Sequence, residues 1–514
     1  MFITPPSKNF AANVAHARQK LHKYTQFTPT AFAARRRRQF ISILDHHYLA
    51  PSNDTYRKTV QSTGVDLPIR KRSPFRWFSG SASSQAQLHF PARMPLADIL
   101  ALLPITDKQI LFAGSYQEHP AVSRDLIRFV PATSGTTTGK RAQLPLTFTG
   151  LWAPSMEPMI WYLLLYGIDP LTTNGYTIAH FLHQQPEEQR NFATYAAFSA
   201  FQNMASDRIH MGSTQDTLDQ HIAELTRPAQ WALAAPTFYR TVALRASASD
   251  LARMQLHTIF WGASPLSKED DELTRAKFKL RHSLGVYVST EGGYIGIQLA
   301  EHAPYVVPTD RLIIEIVDEH GLHVAPGETG DVLITSLVHD AAPILRYKIG
   351  DKARYLGHPM TNADLWHDLN LIIPTKQTIS PLGKGLLRHG MFLDSVTRSG
   401  GLLFGAMKLA YEDVAKLQDE MGKRGTPAPM LQIAKCLTQS GNPSVVVRLE
   451  APAERADEYR ANMLEVLKMA RQLDYYFTTG ELPPPTIAIF APGELSAGRF
   501  KVPPLIDETV TREE

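Results

Sequence analysis

The sequence predicts an α/β protein in two unequal parts: a large N-terminal domain with mixed sheets and helices, and a small α+β C-terminal domain. Three observations carry this. From about residue 126 to 350, short apolar runs alternate with helical stretches, as strands joined by helices do. Beyond about residue 390, the apolar runs 430–437, 444–449 and Thr486–Phe490 flank an amphipathic stretch over 454–473. The chain has 514 residues, which is about two to four domains of length. We set the large domain at 1–389, with a basic helical extension over 1–95, and the small domain at 390–514.

The elements follow in chain order. Residues 1–65 read as helical, punctuated by Pro5, Pro6 and Pro29, with Pro51 ending the helix that holds four consecutive arginines. Residues 66–95 mix Pro, Ser and basic side chains and read as an irregular insertion. A short helix over 96–103 lies between Pro95 and Pro104. The apolar stretch 159–168 falls short of the roughly 20 residues that cross a membrane and is followed by Asp169, so it reads as a buried helix. Strands are expected at 127–130, 231–235, Thr258–Trp261, 285–288, Leu312–Val317 and 331–335, with helices over 190–205 and 217–225 between them. In the small domain, Tyr459, Met463, Val466, Leu467 and Ala470 recur on one side of a helix, and Pro483, Pro484 and Pro485 make a rigid turn.

Composition excludes several classes. A single cysteine, Cys436, cannot form an internal disulfide framework or a zinc site of several thiolates. It fits a reducing compartment, and we expect a cytoplasmic protein without a membrane span. The net charge is +4, but residues 1–80 hold 14 Lys/Arg against 3 Asp/Glu, and no acidic residue precedes Asp45. Arg35, Arg36, Arg37 and Arg38 are open to three readings: a transit peptide, a patch for nucleic acid or another anionic surface, or the solvated face of a helix. We take the last, and expect no nucleic-acid partner.

The most informative segment runs from Pro131 to Lys140 after the strand at 127–130. Gly135 and Gly139 permit tight turns and close approach to a ligand. Ser134, Thr136, Thr137 and Thr138 offer hydroxyl donors, the backbone N–H groups of such a turn form an anion nest, and Lys140 adds positive charge. A polar hairpin is the plain alternative. It is not a P-loop, because three residues separate the glycines and Arg141 follows Lys140.

This segment resembles the phosphate loop of the adenylate-forming, or acyl-CoA synthetase, superfamily. Three further segments match in order. Trp261-Gly262-Ala263-Ser264-Pro265-Leu266 resembles the segment along the adenine. Tyr287-Val288-Ser289-Thr290-Glu291 resembles the Tyr-x-x-Thr-Glu motif, and Arg346-Tyr347-Lys348-Ile349-Gly350-Asp351 resembles Arg-Tyr-x-x-Gly-Asp. The likeness is greatest to phenylacetate–CoA ligase-like proteins, where the segment from Leu103 to Lys108 is also at home.

The resemblance implies formation of an acyl-adenylate from a carboxylic acid and ATP, with release of pyrophosphate. Two anions must meet, so the site needs donors, a cation and a metal ion. It further implies that Glu291 holds Mg²⁺ with Thr290 near the phosphate, that Asp351 accepts from the ribose hydroxyls, and that Gly262, Ala263, Ser264, Tyr287 and Ser289 line the nucleotide. Arg346 is left as either an ion-pair partner or a phosphate neighbour. Phe238, Tyr239, Trp261 and Val288 lie in or beside these motifs and are candidates for an apolar wall around the acid, although such residues are more often core.

The small domain is expected to swing, carrying Lys501 to the α-phosphate, with Arg499 as the alternative. The family's hinge Gly-Arg-x-x-Asp is matched by Gly390 to Asp394, with Met391 in place of the arginine. The acyl acceptor implied is a thiol, either CoA or the phosphopantetheine of an acyl or peptidyl carrier protein. An amide-forming synthetase and a non-catalytic nucleotide-binding scaffold remain the rival readings.

Overall fold

The structure, a computed structural model, describes residues 9–49, 54–65, 67–70, 87–107, 122–130, 144–179, 204–205, 207–213, 218–234, 236–262, 266, 268–298, 303–358, 389–398, 401–404, 407–428, 430–438, 441–492, 494–495 and 505–507. The chain opens with helices α1 (Phe10–Gln26), α2 (Pro29–Leu49) and α3 (Asp54–Ser62). Asn9 caps α1 by accepting from the Ala12 N–H at 3.2 Å. Pro29 stands at the first position of α2, where a missing N–H costs nothing. Four short strands follow: β1 (Ile69–Arg70), β2 (Gln87–Leu88), β3 (Ile127–Phe129) and β4 (Leu146–Thr147), paired antiparallel as β1 with β2 and β3 with β4. Helix α4 (Leu96–Ala101) lies between the pairs.

The main sheet has eleven strands. In chain order they are β5 (Gly175–Ala179), β6 (Ile209–Ser213), β7 (Trp231–Ala234), β8 (Thr258–Trp261), β9 (His282–Ser289), β10 (Gly293–Gln298), β11 (Tyr305–Val307), β12 (Leu312–Val317), β13 (Thr329–Ser336), β14 (Tyr347–Gly357) and β15 (Met391–Arg398). Their spatial order is β12-β13-β14-β15-β11-β10-β9-β8-β7-β5-β6. The block from β6 to β9 is parallel and the remaining pairs are antiparallel. All four residues of β7 and of β8 are buried, because helices cover both faces of the parallel block. Ala232, Ala234, Ile259 and Trp261 pack with helices Leu218–Leu225, Pro236–Arg245 and Lys268–Phe278. Leu233, Phe260, Leu284 and Val286 face the other core, shared with helix Glu157–Leu165 and α1.

The small sheet has the order β20-β19-β18-β21, from β18 (Leu431–Leu437), β19 (Pro443–Glu450), β20 (Thr486–Phe490) and β21 (Leu505–Asp507). It shares its core with helices Tyr411–Lys423, Ala456–Met469 and Arg471–Thr478 and with a hairpin of β16 (Gly401–Phe404) and β17 (Met407–Ala410).

Several expectations are corrected. The amphipathic stretch at 454–473 is two helices, broken where Ala470 takes ψ 72°. The strand β15 runs through residues expected in the small domain, yet it pairs with β11 and β14, and Met391, Phe392 and Leu393 lie in the large core. The second core begins at Leu402. The described helices of the N-terminal extension pack into the large core. Val14, Leu21, Phe40 and Leu44 belong to the large core, and Lys20 pairs with the buried Glu157 at 2.7 Å. The arginine run is only partly a solvated face. Arg37 donates to the carbonyls of Pro91 and Met94 at 2.7 and 3.0 Å, and Arg35 lies over the Phe27 ring. Among the described residues, no helix is long and apolar enough to cross a membrane; Glu157–Leu165 is a buried helix of nine residues. The expected helix at 190–205 falls outside the described residues except for its last two positions.

Helix α2 is also tied to the segment after β13. His46 Nε2 donates to the Asp340 carbonyl at 2.8 Å and His47 Nε2 to the His339 carbonyl at 3.0 Å. His47 and His339 are buried, and burial pushes their imidazoles down to about 3 and about 4. The unfolded chain takes up these protons from about pH 6.5 downward, whereas the folded chain resists until near pH 4 and 3. Stability is therefore lost as pH falls below 6.5, by roughly 2 kcal/mol per histidine at pH 5. His47→Gln keeps a donor and removes the titration. Urea unfolding between pH 7 and 4.5 is expected to show a flatter decline for that variant; an unchanged slope would contradict the buried, neutral His47.

Candidate functional site

In open α/β sheets, ligands bind beyond the carboxyl ends of the parallel strands. Two matched segments end there. At the end of β8, Trp261 is followed by half-buried Gly262, where a Cβ would meet Val286 at 3.0 Å. At the end of β9, Tyr287, Val288 and Ser289 lead into a turn through Thr290, Glu291 and Gly292. The Ser289 hydroxyl accepts from the Gly292 N–H at 2.8 Å and closes this turn. Gly293 starts β10 at φ 64°, and a Cβ there would sit 2.4 Å from the Pro154 carbonyl oxygen. Pro154 lies in a π-helical turn, Trp152–Met156, that interrupts the helix following β4; such turns recur at functional sites. The turn that presents Glu291 is thus seated directly on this interruption.

Glu291 is 6% exposed, and its Oε1 accepts from the Tyr347 hydroxyl at 2.9 Å. Burial, and then the Glu291 carboxylate, push the Tyr347 phenol well up, so it remains a donor. Asp351 is 9% exposed, and its Oδ2 accepts from the Tyr287 hydroxyl at 2.8 Å. Gly350 before it takes φ 81°, a conformation that suits glycine. The segments 287–291 and 347–351 are brought together by two hydrogen bonds. The sequence reading assigned Tyr287 to the nucleotide and gave Tyr347 no role; the tyrosine in the second motif was the available signal.

Arg346 resolves between its two readings. Its guanidinium is buried, with Nη2 3.1 Å from Glu315 Oε1, Nε donating to Glu315 Oε2 at 3.2 Å, and Nη1 donating to the Leu103 carbonyl at 2.8 Å. Its guanidinium is thus held in a structural ion pair, the first of the two readings. The segment beginning at Leu103 also clamps the backbone on both sides: the Thr106 N–H donates to the Arg346 carbonyl at 2.9 Å and the Lys348 N–H to the Thr106 carbonyl at 2.8 Å.

The proposed acyl wall is divided. Tyr239 and Trp261 are buried on the sheet face beneath Pro236–Arg245, with Phe238 packed against them, and the Tyr239 hydroxyl donates to the Phe260 carbonyl at 2.9 Å. Val288 packs on the opposite core, so the four residues do not form one wall. On the Val288 face, a small apolar gap with room for about one water lies between the sheet and helix Glu157–Leu165. It is lined by Met159, Tyr162, Leu163, Leu233, Phe260, Val286 and Tyr294. Asp394 on β15 pairs with Arg354 of β14. Met391 is buried in the large core, which accounts for an apolar side chain where the resemblance leads to an arginine. Ser134, Gly135, Thr136, Thr137, Thr138, Gly139, Lys140, Ala263, Ser264, Arg499 and Lys501 lie outside the described residues.

No protein-family model matches the sequence, and no curated protein matches it. Solved structures do. The structure of 2-hydroxyisobutyryl-CoA ligase with 2-HIB-AMP and CoA in the thioesterification state matches with TM-score 0.66 at 15% identity, covering 95% of this chain and 92% of that one. The same enzyme in the postadenylation state with 2-HIB-AMP matches with TM-score 0.52 at 13% identity, covering 93% of this chain and 89% of that one. Its open conformation matches with TM-score 0.51 at 13% identity, covering 92% and 91%. The chain therefore has the fold of adenylate-forming acyl-CoA ligases.

The Arg346–Glu315 pair gives a direct test. Arg346→Met leaves the buried Glu315 carboxylate with only the exposed His323 imidazole, 3.4 Å away, and is expected to lower stability by about 3 kcal/mol. Replacing both partners, Arg346→Met with Glu315→Met, should cost much less. Urea melts showing equal losses for the two variants would contradict the pairing.

Proposed function

We propose that the protein is an ATP-dependent carboxylate ligase that forms an acyl-adenylate with Mg²⁺, releases pyrophosphate, and passes the acyl group to a thiol. The observation that carries this reading is the joining of Glu291 and Asp351 through Tyr347 and Tyr287, within segments that resemble the metal- and ribose-holding motifs. The fold supports it. Glu291 suits Mg²⁺, a hard cation that keeps several waters and is held by one or two carboxylates together with substrate phosphates. When bound, the ion would offset the charge of the phosphates as carboxylate and nucleotide approach. Asp351 can accept two ribose donors, and Thr290 stands beside Glu291 to meet a phosphate.

The acid we propose is aryl or otherwise hydrophobic, with half-buried Phe238 or Val288 at its edge. The acceptor is CoA or a carrier-protein phosphopantetheine, and the compartment is the cytoplasm. The small domain swings between the two steps, because one site must present two constellations.

The deciding assay is acid-dependent exchange of pyrophosphate into ATP across a panel of aryl and medium-chain acids. Exchange is expected with at least one hydrophobic acid. ATP binding without exchange for any acid would favour the scaffold reading, and an amide product would favour the amide synthetase. Glu291→Gln should slow exchange by roughly 10²-fold in a protein that stays folded. Asp351→Ala should raise the Michaelis constant for ATP about tenfold, with little change in that for the acid.

A separate outcome is expected at the C-terminus. Lys501→Ala should lose exchange by roughly 10²-fold, yet still transfer the acyl group from a supplied acyl-adenylate. Arg499→Ala should leave exchange largely intact. The reverse pattern would move the assignment of the catalytic cation to Arg499.

A further inference from the structure

The two motif segments share an internal spacing. Each opens with a tyrosine and carries a carboxylate four residues later: Tyr287 and Glu291 in one, Tyr347 and Asp351 in the other. The hydrogen bonds run crosswise. Tyr347 donates to Glu291 at 2.9 Å, and Tyr287 donates to Asp351 at 2.8 Å. Each bond is between a phenol and a carboxylate, a charge-assisted type that is short and directional. Both tyrosines are buried, at 0% and 7% exposure, so water competes little with either bond.

We propose that these four side chains form a reciprocal brace, in which Tyr347 is the positioning residue for Glu291 and Tyr287 the positioning residue for Asp351. The brace couples binding of the metal to binding of the nucleoside. This rests on the reading of Glu291 and Asp351 given above and deepens it. Tyr347 and Asp351 lie on one strand, and the backbone around Tyr347 is held by Arg346 and Thr106. Glu291 and Tyr287 likewise belong to one strand and its turn, fixed by the Ser289 and Gly293 contacts. Glu291 cannot move toward a cation without drawing on Tyr347, and Asp351 cannot settle on a ribose without drawing on Tyr287. Ordering one pair therefore prepares the other, which is positive coupling between two ligands.

The test is ATP binding to the full chain by calorimetry, with and without Mg²⁺, for wild type, Tyr347→Phe, Glu291→Gln and the double variant. Wild type should bind ATP more tightly with Mg²⁺. Tyr347→Phe should reduce that Mg²⁺-dependent gain about tenfold, lower affinity without Mg²⁺ far less, and add nothing to the loss of gain in the Glu291→Gln background. A merely structural hydroxyl would lower both affinities alike and add to Glu291→Gln, and either result overturns the brace. If Tyr347→Phe does not fold, the cycle of Tyr287→Phe with Asp351→Asn decides. Non-additive loss of ATP affinity supports the brace, and additive loss overturns it. Coupled Mg²⁺–ATP binding without acid-dependent exchange overturns the proposed ligase and keeps the brace. Exchange without the coupling does the opposite.

Discussion

Arg346 occupies a backbone conformation that side chains rarely adopt, with φ 45°. It is held there because every polar group around it is answered. The guanidinium meets Glu315 and the Leu103 carbonyl, the N–H donates to the Thr335 hydroxyl at 2.8 Å, and the carbonyl accepts from Thr106. A single unusual residue costs on the order of 1–3 kcal/mol and persists only when its surroundings over-determine it. What this constraint supplies is direction. It turns the chain between β13 and β14 so that Tyr347, the next residue, is buried with its hydroxyl on Glu291. Asp351 then falls four residues further along the same strand.

A second constraint acts on the turn that carries Glu291. The turn carrying Glu291 approaches the π-helical turn at Pro154 so closely that only glycine fits at 293. That helix is in turn fixed by buried charge. Arg311 lies over the Trp161 ring at 4.1 Å and donates to the Ala153 carbonyl, while Glu157 pairs with Lys20 of α1. The N-terminal helices therefore reach the site through packing. They also reach it through His46 and His47, which hold the carbonyls of Asp340 and His339. Asp340 takes the Thr147 hydroxyl at 2.9 Å, just beyond the segment that resembles a phosphate loop.

Much of this was legible in the sequence where burial is continuous. The runs Thr258–Trp261, Leu312–Val317 and Thr486–Phe490 are strands with the expected bounds, because apolar runs of that length have few other folds open to them. That Met391, Phe392 and Leu393 pack in the large core was not legible, because they carry no turn signal and their strand partners, β11 and β14, are distant in sequence. The break at Ala470 has neither Gly nor Pro to mark it. Motif spacing pointed to Glu291 and Asp351, and the structure joins their segments. It could not show that Tyr287 and Tyr347 hold them, nor that Arg346 faces Glu315, because those contacts depend on which strands lie side by side. Tyr239 and Trp261 read as a wall with Val288 only while the two faces of the sheet were indistinguishable.

We propose that the segments 287–291 and 347–351 together hold a metal-bound nucleotide. A crystal structure of the protein with Mg²⁺ and a nonhydrolysable ATP analogue tests this most directly. The account predicts the ribose hydroxyls within hydrogen-bonding distance of the Asp351 carboxylate and the metal ion on Glu291, with the bonds from Tyr287 and Tyr347 intact. A nucleotide bound elsewhere, or bound here with the metal on other residues, would contradict it.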